Sequence, residues 1–146
     1  MPILHERNIA MSKSIEEIRE YFSKDRYAAD TGAFIEEAHE GYAKISLVIE
    51  DKHKNAVGGV MGGVYFTLAD FAFAVASNTD CAGTVSLTSD ISFLGVPKTQ
   101  KIFAETRLIR SGRTTCCYSI SVTDENGSPV AEVKTVGYHT VPRESK

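Results

Sequence analysis

Between Val64 and Ala76 only Thr67 and Asp70 are polar. A helix with apolar residues on every face has no side to turn to water, so the rest of the chain must surround it. A bilayer is one possible surround, but spanning it takes about 20 apolar residues. This run is shorter and holds an acid, so it reads as the central helix of a soluble core, and Asp70 is expected to be buried. Taking an ionised carboxylate out of water costs several kcal/mol or more unless hydrogen bonds or a raised pKa compensate. Two accounts of Asp70 fit: an internal acceptor that pins a neighbouring loop, or a general base or nucleophile in an apolar cleft.

Immediately upstream lie Gly58, Gly59, Gly62 and Gly63. Glycines let a ligand approach the main chain closely, and the first turn of a helix offers unpaired N–H groups at the positive end of its dipole. The Gly62 N–H is therefore placed to polarise a carbonyl and stabilise the charge that develops on attack. A tight turn into a buried helix explains the same glycines. Neither the phosphate-loop ending Gly-Lys-Ser/Thr nor the dinucleotide pattern Gly-x-Gly-x-x-Gly is present.

The remainder reads mostly as strands. Ala33 to His39 and Tyr42 to Glu50 flank a turn at Glu40-Gly41. Thr84 to Leu94, Ile102 to Arg110, Thr114 to Asp124 and Val130 to His139 follow the helix, with Asn126-Gly127 a hairpin signal between the last two. Ahead of them, Ser14 with Glu17 three residues later is a capping-box pattern, and Ile15, Ile18 and Phe22 recur at helical spacing. No repeat or linker divides the 146 residues, so one domain, 1–146, is expected, with 1–31 a helical segment packed on it. An antiparallel sheet curled around one apolar helix is the α+β arrangement that covers that helix.

Net charge is −3, which argues against a nucleic-acid surface. Cys81, Cys116 and Cys117 follow no metal spacing and read as reduced thiols, the adjacent pair pointing to opposite faces of a strand. His5, His39, His53 and His139 are scattered and read as isolated imidazoles at the surface or at strand ends, so no metal site is expected. Met1 to Ala10 holds no apolar signal-peptide core, which gives a cytoplasmic expectation with no membrane partner.

Asn55, Gly58, Gly62-Gly63 and Leu68-Ala69-Asp70 resemble, in that order, the hotdog-fold acyl-CoA thioesterases of the PaaI-like, phenylacetate-pathway group. The resemblance extends through Thr84 to Leu94, Arg110-Ser111-Gly112-Arg113 and Asp124 to Ala131, and covers about Gly32 to His139. It implies a hotdog fold and hydrolysis of an aryl or short- to medium-chain acyl-CoA to the free acid and thiol. Water is the second substrate, coenzyme A is part of the substrate, and no cofactor is required.

On the same resemblance, Asp70 is the catalytic carboxylate, acting as general base or as nucleophile. The Gly62 N–H donates to the thioester oxygen, and Asn55 orients the water or the thioester; a turn-forming role accounts for Asn55 equally well. Substrate contacts fall to Met61 and Gly63 and, lining the acyl pocket, to Phe71, Phe73 and Ala74, with core packing the default for all three. The residue before Gly62 is commonly His in the group and is Met61 here, which cannot donate a conventional hydrogen bond but can pack on the acyl or pantetheine chain. Relatives often carry a basic residue near Gly95-Val96-Pro97; here Arg113, ahead of Lys98, Lys101 and Arg110, is the first choice for the CoA phosphates. The resemblance also implies a homodimer through a free sheet edge, commonly doubled to a tetramer, with active sites shared between subunits.

Three other readings compete. A hotdog dehydratase needs a histidine paired with the acid, and Met61 removes the nearest candidate. A non-catalytic acyl-CoA sensor would use the same pocket without chemistry. A purely structural oligomer would use Asp70 as an acceptor.

Overall fold

The computed structural model describes residues 12–144; the opening stretch read for a leader, with His5, lies outside them. Ser14 caps α1 (Ile15–Phe22), its Oγ accepting from the Glu17 N–H at 3.2 Å, and Ile18 and Phe22 are buried as the spacing predicts. A second helix follows, α2 (Arg26–Thr31), with Gly32 closing it at φ 102°. Six residues with no apolar periodicity gave no sign of it.

Six antiparallel strands form one sheet: β1 (Phe34–His39), β2 (Tyr42–Val48), β3 (Thr84–Phe93), β4 (Lys101–Ser111), β5 (Thr115–Asp124) and β6 (Pro129–His139). Their spatial order is β1-β2-β4-β5-β6-β3, which leaves β1 and β3 as edges. Between β2 and β3 in sequence comes α3 (Gly62–Asn78). The sheet wraps α3: Ile45, Leu47, Ile102, Ala104, Ile120 and Val122 on the strands and Leu68, Ala72 and Val75 on the helix are all completely or almost completely buried. Burying a Leu, Ile or Val side chain is worth about 1.5–3 kcal/mol each, so this one layer of contacts dominates the fold's cohesion.

Two details fix how α3 lies. Phe71 meets Phe22 edge-on, ring centres 6.2 Å apart, which clamps α1 to one flank of the helix. On the other flank Phe73 meets Tyr118 edge-on at 5.5 Å. Gly137 admits Phe73 there, since a Cβ on Gly137 would stand 2.7 Å from the Phe73 ring and 2.7 Å from Cys116 Sγ.

The β5–β6 connection is longer than a two-residue Asn-Gly turn. Gly127 has φ 76° as expected, but Asp124 organises the turn, its carboxylate accepting from Asn126 N, Ser128 N and Lys98 N at 2.8–3.0 Å. Those donors, Lys98 N–H foremost, hold its pKa below the usual carboxylate range.

Candidate active site

The chain from β2 to α3 is built around the helix N-terminus. The segment leaving β2 is tied to the sheet by Ile49 N to Gln100 O, 2.8 Å, and then turns through Asp51–His53. His53 is buried and holds that turn at both ring nitrogens. Nδ1 accepts from Glu50 N at 2.9 Å, and Nε2 therefore carries the hydrogen and donates to the Thr31 carbonyl at 2.7 Å. The His53 carbonyl in turn accepts from Met61 N at 2.9 Å, so this one residue, by ring and backbone together, links α2, the loop and the start of α3. The expectation of isolated surface or strand-end histidines is corrected here, and at His139 in part: that residue does end a strand, β6, but it is buried between Thr84 Oγ1 (2.8 Å) and Ser111 Oγ (3.4 Å). His39 is exposed. Glu50 three residues before His53 was the available clue; the Thr31 partner, 22 residues away, leaves no local trace.

Asn55 closes a small loop on itself. Its N–H donates to Gly59 O at 2.7 Å, and its Oδ1 accepts from Val57 N (3.1 Å) and Gly59 N (3.0 Å), with Gly58 at φ 86°. The turn-forming role is thus present, and it occupies only the oxygen: Nδ2 has no partner among the described residues. Met61 then enters the helix at φ −66°, ψ 134° with no side-chain cap. The first N–H groups of a helix have no partner within it. Met61 supplies none, so the N–H groups of Gly62 and Gly63 have no acceptor among the described residues. The Phe93 ring lies over Gly62, where a Cβ would stand 2.7 Å from it, while Gly63 faces open space. Met61 and Phe93, both 60 % exposed, give this helix end an apolar rim.

Asp70 is not buried, which corrects the expectation from the apolar run. Gly63, Phe66, Thr67, Asp70 and Ala74 form a stripe at three- and four-residue spacing that is partly or fully exposed. The run is apolar on all sides, yet the described chain covers only some of them. The Asp70 carboxylate has no hydrogen-bond or ion-pair partner among the described residues. Its pKa is raised, first by the desolvation that neighbouring chain imposes and second by the charge of Asp25; water still reaches the group and screens both effects.

The other expected contacts are distributed unevenly. Phe71 is buried against Phe22 and belongs to the core of its own chain. Ala74 is half-buried on the Asp70 stripe. Arg113 is exposed on the β4–β5 turn, and the pairings Ser111–Cys116, Cys116–Gly137 and Thr84–His139 put that turn at the Thr84 end of β3. Gly62 is at the Phe93 end, about 30 Å away along a strand of this length. Among the described residues no three His, Cys, Asp or Glu side chains form a group that could hold a metal ion. No described helix is long and apolar enough to cross a membrane.

The profile of the thioesterase superfamily matches residues 57–131, from the glycine loop through α3 to β6. The chain belongs to the thioesterase superfamily. An Archaeoglobus fulgidus protein named "Putative esterase" is 31 % identical over 129 residues, 87 % of this chain and 84 % of that one. The acyl-coenzyme A thioesterase PaaI of Escherichia coli K12 is 28 % identical over 111 residues, 75 % of this chain and 79 % of that one. Among solved structures, smu.793 of Streptococcus mutans UA159, bound to acetyl-CoA, superposes with a TM-score of 0.71 at 25 % identity, covering 77 % of this chain and 92 % of that one. This thioesterase therefore has the hotdog fold, and it is a thioester hydrolase. The matched residues include Gly62 and Gly63, whose N–H groups at the helix start have no acceptor among the described residues, and Asp70 farther along the same helix, whose carboxylate has no partner among them.

Proposed function

We propose that this thioesterase hydrolyses acyl-CoA esters of aryl or short- to medium-chain acids at a site shared by two subunits. Gly62 N–H would hold the thioester oxygen, Asn55 would orient the water or the thioester through Nδ2, and Asp70 would act as general base or nucleophile. The coenzyme A part of the reading draws on the acyl-CoA thioesterase name of the Escherichia coli relative and the acetyl-CoA held by the Streptococcus mutans structure.

One observation carries the shared site. From Gly62 to Asp70 is eight residues of α3, about 12 Å of helical rise. A base or nucleophile acts within about 3–3.5 Å of its target, and the oxyanion donor must touch the same carbonyl. One helix cannot bring both groups to one carbon, whereas Asp70 from a second copy can reach the Gly62 end.

The uncovered surfaces fit a second copy. β3 is a free edge with Val85, Leu87 and Phe93 exposed, and such an edge is usually paired or protected. Antiparallel pairing of two β3 strands would set the Thr84 end of one beside the Phe93 end of the other. It would also bring the Arg113 turn of the partner subunit toward the Gly62 groove, where that charge suits the CoA phosphates. Met61 and Phe93 would then border the acyl or pantetheine chain, and Gly63 and Ala74 would leave it room. Doubling of the dimer to a tetramer remains part of the proposal.

The test is steady-state hydrolysis of aryl-, short-, medium- and long-chain acyl-CoAs by wild type and Asp70→Asn. The expected result is turnover of one chain class by wild type and a loss of at least about 100-fold in the variant, the scale of a general base. Equal rates in both proteins would contradict the proposed role of Asp70. Tight binding without turnover by wild type would leave the sensor reading in its place.

A further inference from the structure

The chain beyond β6 ties together two loops at the Thr84 end of β3. His139 N donates to Thr114 O and Thr140 N to Gly83 O, both at 2.8 Å. Arg143 then bonds on both sides. Its main-chain N–H donates to the Arg113 carbonyl at 2.8 Å, while its Nη2 donates to Ser77 O (2.6 Å), Cys81 O (2.7 Å) and Thr84 Oγ1 (3.0 Å).

The guanidinium has a physical reason to sit there. The last carbonyls of a helix lack a partner within it and form the negative end of its dipole, where a cation is favoured. At the end of α3, Thr79 Oγ1 takes Val75 O and Gly41 N takes Ala76 O, and Arg143 takes Ser77 O. An arginine fork suits oxygens supplied by separate segments better than the compact ammonium of a lysine does.

The other side of the strap is the β4–β5 turn. Gly112 N closes it on Thr115 O at 2.8 Å, and Arg113 and Thr114 are exposed. Their carbonyls are held from the C-terminal segment, by Arg143 N and His139 N. A surface turn without such ties is mobile, and a cation on it must be ordered when its ligand binds. Fixing the backbone beforehand removes that cost from binding.

We propose that Arg143 is a positioning residue for coenzyme A: its guanidinium anchors the C-terminal segment to the end of α3, and its main-chain N–H holds the β4–β5 turn so that Arg113 is set in place for the CoA phosphates. The inference rests on the phosphate role proposed above for Arg113. The side chain of Arg143 is occupied by the protein, so its effect on CoA passes through Arg113.

Steady-state kinetics on the full chain tests this with two substrates: the acyl-CoA turned over fastest, and the matching acyl-pantetheine thioester, which lacks the nucleotide and its phosphates. Arg113→Ala should raise KM for acyl-CoA about 5- to 10-fold, the scale of one charge-assisted contact partly open to water. Arg143→Ala should raise it about 3-fold or more, as a turn that must be ordered on binding would. It should leave kcat, and kcat/KM for acyl-pantetheine, at the wild-type values. In the Arg113→Ala background the Arg143 change should have no further effect, because the two residues act through one contact. Arg143→Gln, too short to reach the same three oxygens, serves if the Ala variant folds poorly.

A wild-type KM in the Arg143 variants, beside an Arg113→Ala that raises it, overturns the inference alone. A wild-type KM in Arg113→Ala overturns the phosphate role and the inference with it. An Arg143 effect undiminished in the Arg113→Ala background would mean that Arg143 meets the phosphates itself, and a fall in kcat with both substrates would mean a purely structural strap; each overturns the inference. Absence of acyl-CoA hydrolysis by wild type would count against the functional reading, and calorimetric Kd values for CoA across the same variants would then decide the role of Arg143.

Discussion

Replacing Gly62 with proline removes the proposed oxyanion donor while asking little of the fold. Gly62 is the first residue of α3, the position where helices accept proline because its missing N–H has no partner in any case. The residue before a proline is confined to extended backbone, and Met61 already lies there at φ −66°, ψ 134°. The one steric conflict is with the Phe93 ring, 2.7 Å from any Cβ at this position; that ring is 60 % exposed and free to turn outward. Gly62→Ala meets the same ring but keeps the N–H, so the ratio of the two variants isolates the donor. Losing one oxyanion donor costs about 100- to 1000-fold in kcat, or about 2.7–4 kcal/mol of transition-state stabilisation. Gly62→Pro should therefore turn over acyl-CoA about 100-fold or more slowly than Gly62→Ala, with thermal midpoints close together. Equal kcat in the two variants would refute the assignment of the Gly62 N–H.

Three further expectations concern stability. His53→Ala strips partners from Glu50 N and the Thr31 carbonyl; at about 1–2 kcal/mol for each lost bond and stranded group, a loss of about 2–4 kcal/mol is expected in urea unfolding, and Gln, able to keep the Thr31 bond, should recover part of it. Asp70 is raised, so the folded state binds its proton more tightly than the unfolded state, and its contribution falls as pH climbs from the model-peptide value through the folded one. Asp70→Asn should accordingly melt no lower than wild type at neutral pH; a lower melting point would favour the purely structural account. Gly137→Ala forces a methyl to 2.7 Å from the buried Phe73 ring and Cys116 Sγ, an overpacking expected to cost about 1–3 kcal/mol by the same unfolding assay.

The strands were legible because buried and more exposed positions alternate along most of them, as in β5 and β6, and glycine turns punctuate them, as at Gly41 and Gly127. α3 was legible from its unbroken apolar run, and α1 from the Ser14 cap. α2 was not, since a six-residue helix such as Arg26–Thr31 carries too few turns to show a period. The burial of His53 and His139 depends on Thr31 and Thr84, contacts 22 and 55 residues away in sequence, and no local pattern encodes them. Asp70 failed differently: the apolar pattern around it records every surface that α3 covers or presents for covering, and one chain supplies only part of that cover. Within the candidate site, the order Asn55, Gly62, Asp70 was readable from the residues and the resemblance already implied sites shared between subunits; the structure adds that Gly62 and Asp70 stand eight residues apart on one helix, α3.

The central claim, that two subunits build each site, is tested most directly by combining two inactive variants. Asp70→Asn and Gly62→Pro chains are co-expressed with different tags, and the mixed dimer is compared with wild type in acyl-CoA hydrolysis. In a two-fold dimer the mixed species has one site with both defects and one with neither. A random mixture should thus regain about a quarter of wild-type activity, and the purified mixed dimer about half. Activity no higher than the sum of the two parent variants, in a mixed dimer shown to be intact, would contradict the shared site.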